Sequence, residues 1–172
     1  MRLPAVPEAY SSPPQLLRFL LGAWSVSKTM QYTRGGKDGI FTGSATFAPL
    51  LGDASVLSFV EDGVATLGSD EQYSARQRLL YASDDSATLR VLFDESAART
   101  SAADVMAGAR FFHAIALAAP APPPPFEHPC GPDMYRGRLV LEDEDTFRLL
   151  WTVTGPRKLG SVRSTFRRAE SS

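Results

Sequence analysis

The sequence predicts an all-β protein, an antiparallel β-barrel of about ten strands with a short N-terminal helix. Three observations carry this prediction. Apolar and polar side chains alternate with a period of two over most of the chain, as in Trp24, Val26, Met30 and Tyr32 against Ser25, Ser27, Thr29 and Gln31. Turn-forming clusters recur about every 8 to 12 residues. Helical spacing is confined to one short stretch near the start. The pattern argues for a sandwich or closed barrel and against alternating βαβ units.

Residues 1–13 carry Pro4, Pro7 and Pro13 and are expected to lie irregularly over the surface. From Pro14 to Leu21 the apolar residues form a helical turn, with proline first and Gly22 ending it. A first strand follows, and the glycine-rich run Arg34 to Gly39 returns it antiparallel over Ile40 to Leu50. Gly52-Asp53 and Asp62-Gly63 punctuate a third and a fourth short strand. Tyr73 to Ser83 and Thr88 to Asp94 flank the turn Asp84-Asp85-Ser86 as a hairpin. Residues 95–108, rich in Ala, Ser and Thr, read as an insertion with local helix, ahead of a seventh strand from Ala109 to Leu117. Pro120 and Pro122 to Pro125 make residues 118–127 a stiff connection that cannot join a sheet. Tyr135 to Glu142, Thr146 to Thr154 and Lys158 to Arg168 complete the series. One barrel domain thus spans residues 14–168, with 169–172 a tail.

The chain has 172 residues, with 18 basic side chains against 19 acidic ones and one cysteine. A chain of this length hides well over half of its unfolded surface, enough for a core without staples. No apolar run reaches the roughly 18 residues of a membrane-spanning helix, and the charges cancel. Neither a membrane span nor nucleic acid is therefore an expected partner. Cys130 alone forms no intramolecular disulfide, which suits a reducing compartment, and the start lacks the basic-then-apolar pattern of a secretory leader. The expectation is a soluble, intracellular and cytoplasmic protein.

Leu20-Leu21-Gly22-Ala23-Trp24 before the first strand, with Arg167-Arg168 ending the last, resembles the calycin barrels: lipocalins, fatty-acid-binding proteins and nitrobindin-like proteins. In those families a late arginine packs over the tryptophan that opens the first strand. The resemblance places Arg167 or Arg168 over Trp24, Arg167 being the first choice as the closing residue. A guanidinium on an indole face satisfies cation and ring together. A closer likeness, from Leu20 to Arg167, is to a family of small proteins of unknown function from bacteria and lower eukaryotes. It rests on Phe112-His113, on His128-Pro129-Cys130 with Asp133, Tyr135 and Gly137, and on Trp151 to Lys158. Nitrobindin-like relatives hold haem through a histidine early in the last strand. Here the matching neighbourhood is Leu159-Gly160-Ser161, so haem would have to borrow His113 or His128.

His113, His128, Cys130 and Asp133 are the densest set of ligand-type residues. Zinc accepts such donors, but the spacing is tight and no helical histidine pair supports it. The alternative is a turn knitted by side-chain hydrogen bonds, with Asp133 holding backbone amides. No resident cofactor is therefore expected. Arg76, Arg78, Arg157 and Lys158 are candidate cations at one barrel mouth, with an apolar tail lying along Leu80, Phe112 and Trp151. The other reading of Arg76 and Arg78 makes them the solvent face, with Tyr73, Ala75, Gln77, Leu79 and Tyr81 turned inward.

These residues support non-covalent binding of a small, partly apolar ligand in the barrel, with an anionic head group at the cations. The binding residues would be His113, His128, Cys130, Asp133, Tyr135, Trp151, Arg157 and Lys158, in a cavity above about 300 Å³. A second reading is a small barrel enzyme, with His113 or His128 as general base near Asp133 and Tyr135, and Arg157 facing the developing charge. Binding is favoured over catalysis. A third is an interaction module that docks the Pro122–Pro125 tract in a partner's aromatic groove.

Overall fold

The computed structural model describes residues 5–84, 86–117 and 121–170. Its strands are β1 (Gly22–Arg34), β2 (Gly39–Leu50), β3 (Asp53–Leu67), β4 (Glu71–Ser83), β5 (Thr88–Phe93), β6 (Arg110–Ala116), β7 (Phe126–Cys130), β8 (Asp133–Asp143), β9 (Thr146–Thr154) and β10 (Leu159–Arg168). The helices are α1 (Val6–Ala9), α2 (Pro13–Leu20) and α3 (Ala102–Ala107). The ten strands form one antiparallel sheet in the order β6-β5-β4-β3-β2-β1-β10-β9-β8-β7, a nearly closed barrel. Sequential neighbours pair except β6 and β7, the two ends of the sheet, and among the described residues the one long-range ladder is β1 on β10.

That ladder sets the closed end of the barrel. It pairs Trp24 with Arg168, so both side chains leave the sheet on the inner face. Arg168, not Arg167, therefore lies over the indole, its guanidinium carbon 4.2 Å from the ring centre, while Arg167 alternates out to solvent. The same guanidinium donates to the carbonyls of Phe19 (3.0 Å) and Leu21 (3.1 Å), which the end of α2 leaves unpaired, and to Glu144 O (3.0 Å). Trp24 Nε1 donates to Leu20 O at 2.8 Å. Above this plug, aromatic rings fill the lower half: Trp24 meets Phe147 edge-on at 4.8 Å, Phe147 stacks on Phe166 at 4.3 Å, and Phe47 packs between Phe59 and Tyr81.

Several boundaries differ from the sequence expectations. The segment before Pro14 is ordered from α1 onward, because Ala9 and Tyr10 are buried and the Tyr10 hydroxyl accepts from Leu141 N at 2.8 Å. The helix starts one residue early, at Pro13, with Ser12 as its cap. Asp62-Gly63 does not break a strand. A methyl on Gly43 or Gly63, which face each other across β2 and β3, would run into the Phe41 ring, so these glycines make room for an inner side chain. Conversely, residues 126–130, expected as connection and turn, form β7, an edge strand that tolerates Pro129. Of the proline-rich segment, residues 118–120 lie outside the described residues, as do 1–4, Asp85 and 171–172. Within residues 95–108, α3 folds back to cover Leu80, Ala82 and Leu92 on the outer face of β4 and β5. Leu80 therefore lines no cavity.

Arg168→Ala is expected to destabilise the protein by about 2 to 4 kcal/mol, since it removes the stacked cation and strands two helix-end carbonyls. Arg167→Ala should stay within about 0.5 kcal/mol. Urea unfolding of both variants checks the difference.

Candidate functional site

Above the aromatic plug the lumen holds a cavity of about 210 Å³, smaller than the roughly 300 Å³ or more that the binding reading expects from the sequence. Its wall includes Lys28 from β1, Glu61 and Phe59 from β3, Gln77 and Tyr81 from β4, Phe112 and His113 from β6, Tyr135, Trp151 and Ser164. Strand alternation explains most of these: Lys28 shares the inner face with Trp24 and Val26, and Glu61 shares it with Phe59. A bulge opposite Val91 and Leu92 leaves Phe112 unpaired, so two consecutive side chains of β6, Phe112 and His113, both face the cavity.

Lys28 and Glu61 form an ion pair through Glu61 Oε1. Glu61 is only 4% exposed, and its second oxygen, Oε2, has no hydrogen-bond partner. His113 is 2% exposed, stacks on Phe126 at 4.2 Å, and its Nδ1 is also unpartnered. Burial, with a smaller contribution from the neighbouring His128, pushes the His113 pKa down to about 3, so the ring is neutral near pH 7. Burial first, and then the Glu61 charge, raise the Tyr81 phenol, which stays protonated.

The other candidate residues sit around the open end, in the frame of the barrel. Asp133 Oδ1 accepts from the amides of Arg157 (3.0 Å) and Lys158 (3.3 Å), and a side chain at Gly155 would collide with it. Asp133 thus ties β8 to the β9–β10 turn. Arg157 is exposed, and the Lys158 ammonium lies 5.0 Å from the Tyr32 ring centre. His128 bonds through Nδ1 to Phe112 O at 3.0 Å, bridging β7 and β6, the two ends of the sheet. Cys130 is exposed. The four ligand-type residues weighed for zinc therefore diverge, and among the described residues no three His, Cys, Asp or Glu side chains gather to hold a metal. The histidine–aspartate pairing of the enzyme reading does not form either, since Asp133 is spent on the turn.

Arg76 and Arg78 point outward, paired with Asp62 (3.4 Å) and Asp94 (3.1 Å), so they do not reach the lumen. Gln77, Leu79 and Tyr81 line the cavity, but Tyr73, near the strand end, is 49% exposed. A larger hollow of about 690 Å³ lies on the outer face over Arg136, Arg138, Arg148 and Arg163. Arg136 and Arg148 there are paired with Glu127 and Glu142, and the hollow contains no buried unpaired polar atom. The lumen is the stronger candidate. Lys28 and Glu61 were missed from sequence, although period-two counting from Trp24 reaches Lys28 directly.

A ten-stranded antiparallel barrel, shut at one end by a helix and an arginine on the first-strand tryptophan, defines a calycin-like barrel. The chain belongs to the family of unknown function DUF6314, whose model matches residues 20–168. No curated protein sequence matches it. Among solved structures it is similar to the S-type phycobiliprotein lyase CpeS from Guillardia theta, with a TM-score of 0.63 at 10% identity over 96% of this chain and 97% of that one. It is also similar to a protein of unknown function of the DUF3598 family from Nostoc punctiforme, with a TM-score of 0.50 at 14% identity over 89% of this chain and 49% of that one. A redesigned β-barrel bound to DFHBI matches with a TM-score of 0.42 at 14% identity over 87% of this chain and 99% of that one. At these identities the likeness is one of fold.

The neutral His113 gives a testable pH dependence. Its pKa lies near 6.5 when unfolded and about 3 when folded, so between these values the unfolded chain binds the extra proton. Its contribution is fully present above the unfolded value and is lost as the pH falls toward the folded one, by up to about 1.4 kcal/mol per pH unit. Urea midpoints should therefore fall less steeply with acid in His113→Phe than in the wild type. Parallel slopes would show that this ring does not titrate differently on folding.

Proposed function

We propose that the protein binds a small, partly apolar organic molecule non-covalently in the lumen. The observation that carries this reading is the Lys28–Glu61 pair, its glutamate buried and its lysine partly so, set in an aromatic-walled cavity. Replacing a buried ion pair by well-packed hydrocarbon is often neutral or stabilising, so folding alone gives little reason for one here. A binding cavity does, because apolar walls supply affinity and a few fixed polar groups supply orientation.

The volume of about 210 Å³, below the usual range of ligand pockets, sets the scale of the ligand and favours a compact ring system over a long acyl chain. The anionic ligand expected from Arg157 and Lys158 loses its support, because neither lines the lumen cavity and the lumen ammonium is already paired with Glu61.

Native mass spectrometry of protein purified from its own cells tests the proposal. A low-mass adduct is expected on the wild type and is expected to vanish in Val162→Phe, which fills the cavity from β10 with the barrel intact by circular dichroism. An adduct that persists in that variant places binding elsewhere, and bare protein in both overturns the reading.

A further inference from the structure

Resting on the lumen reading above, we infer that the ligand is a small, neutral, planar nitrogen heterocycle that gives an N–H to Glu61 Oε2 and meets His113 Nδ1 with a second polar atom. The inference follows from what each buried atom can accept. Glu61 Oε1 is paired with the Lys28 ammonium and Oε2 is left without a partner; a carboxylate oxygen in such a pair accepts, so whatever faces it must donate. An apolar ligand, or one that carries only acceptors, leaves that oxygen desolvated and unpaired.

His113 Nδ1 is the second buried polar atom without a partner on the same cavity wall. A neutral imidazole carries a proton on one nitrogen and a lone pair on the other, so its tautomer adapts to a ring nitrogen that either donates or accepts. The charge balance argues for neutrality. Lys28 and Glu61 cancel, and a net charge on the ligand would stand unpaired among Phe59, Phe112, Tyr135 and Trp151. The walls argue for planarity: Phe112 and Trp151 stack at 5.4 Å with their planes 18° apart, offering ring faces and edges to a flat guest.

Calorimetric titration with three probes of similar size, at mildly alkaline pH, separates the possibilities. Benzimidazole is neutral with both N–H and lone pair, naphthalene has no polar atom, and 2-naphthoate is anionic. Benzimidazole is expected to bind the wild type at least tenfold more tightly than either of the others, about what one hydrogen bond to a charged group supplies. The double variant Lys28→Met with Glu61→Gln removes the pair as a unit and leaves no lone charge. It should cost benzimidazole about tenfold or more and change naphthalene by less than about threefold, with His113→Phe as an independent second variant in the same direction. Equal binding of naphthalene, tighter binding of 2-naphthoate, or benzimidazole affinity unchanged in both variants overturns the ligand class and leaves the lumen as a binding site. Failure of all three probes on the folded wild type overturns the lumen reading itself.

Discussion

The contact between the Arg168 guanidinium and the Trp24 indole brings three parts of the closed end together at one side chain. It sits on the ladder that closes the sheet, it satisfies the carbonyls at the end of α2, and it reaches the β8–β9 turn through Glu144 and Asp145. Burial disfavours the charge, which lowers the arginine's pKa, yet the surrounding oxygens and the ring face compensate. One cation thus fixes helix, strand and turn relative to one another. The consequence for function is positional. With one end shut and packed by Phe19, Trp24, Phe147 and Phe166, unfilled volume in the lumen remains only toward the other end, where Lys28 and Glu61 point.

The barrel is closed by backbone everywhere except between β6 and β7, the ends of the sheet. The chemistry of that seam follows from the sequence on either side of it. Pro129 removes a donor from β7, and the bulge at Phe112 breaks the regular spacing of β6. Side chains take over from the ladder: His128 bonds the Phe112 carbonyl, His113 stacks on Phe126, and Trp151 touches both groups. Both histidines of the chain are therefore spent on or beside one seam. Their nearness in sequence reflects a join between strands, which the eye first reads as a metal or catalytic cluster.

Much of the frame was legible because β-structure announces itself through period two and turn residues, and the chain forms ten strands and a short N-terminal helix as expected, together with two further short helices. The misreadings have physical causes. Asp62-Gly63 looks like a turn, but its glycine serves the Phe41 ring packed across β2 and β3. Phe126 to Cys130 looks like a loop because proline suggests no partner, yet an edge strand needs hydrogen bonds on only one side. Arg167 and Arg168 are adjacent, and only the register against Trp24 decides which of them faces inward. The site was less legible than the frame. A lysine and a glutamate in strands look like solvent-facing residues; period two puts Lys28 on the face of Trp24 and Glu61 on that of Phe59, but that the two meet as a pair between β1 and β3 is encoded by no local pattern.

The motifs and the cavity overlap only in part. Asp133, Gly155, Arg157 and Lys158 interlock through hydrogen bonds and a close approach, and Gly137 leaves the room that the Phe126 ring occupies. These residues build the rim and the seam. Lys28, Glu61, Gln77 and Ser164 lie outside every motif and share the polar chemistry of the lumen with the motif residues His113 and Tyr135. Substitution at those four positions need not disturb turn, ladder or plug, because none of them takes part in the Asp133 knot or the Arg168 contact. A chain with the same signature and other residues there would keep this barrel and recognise a different guest, so likeness of motif or fold between two such proteins argues for a shared container and not for a shared ligand.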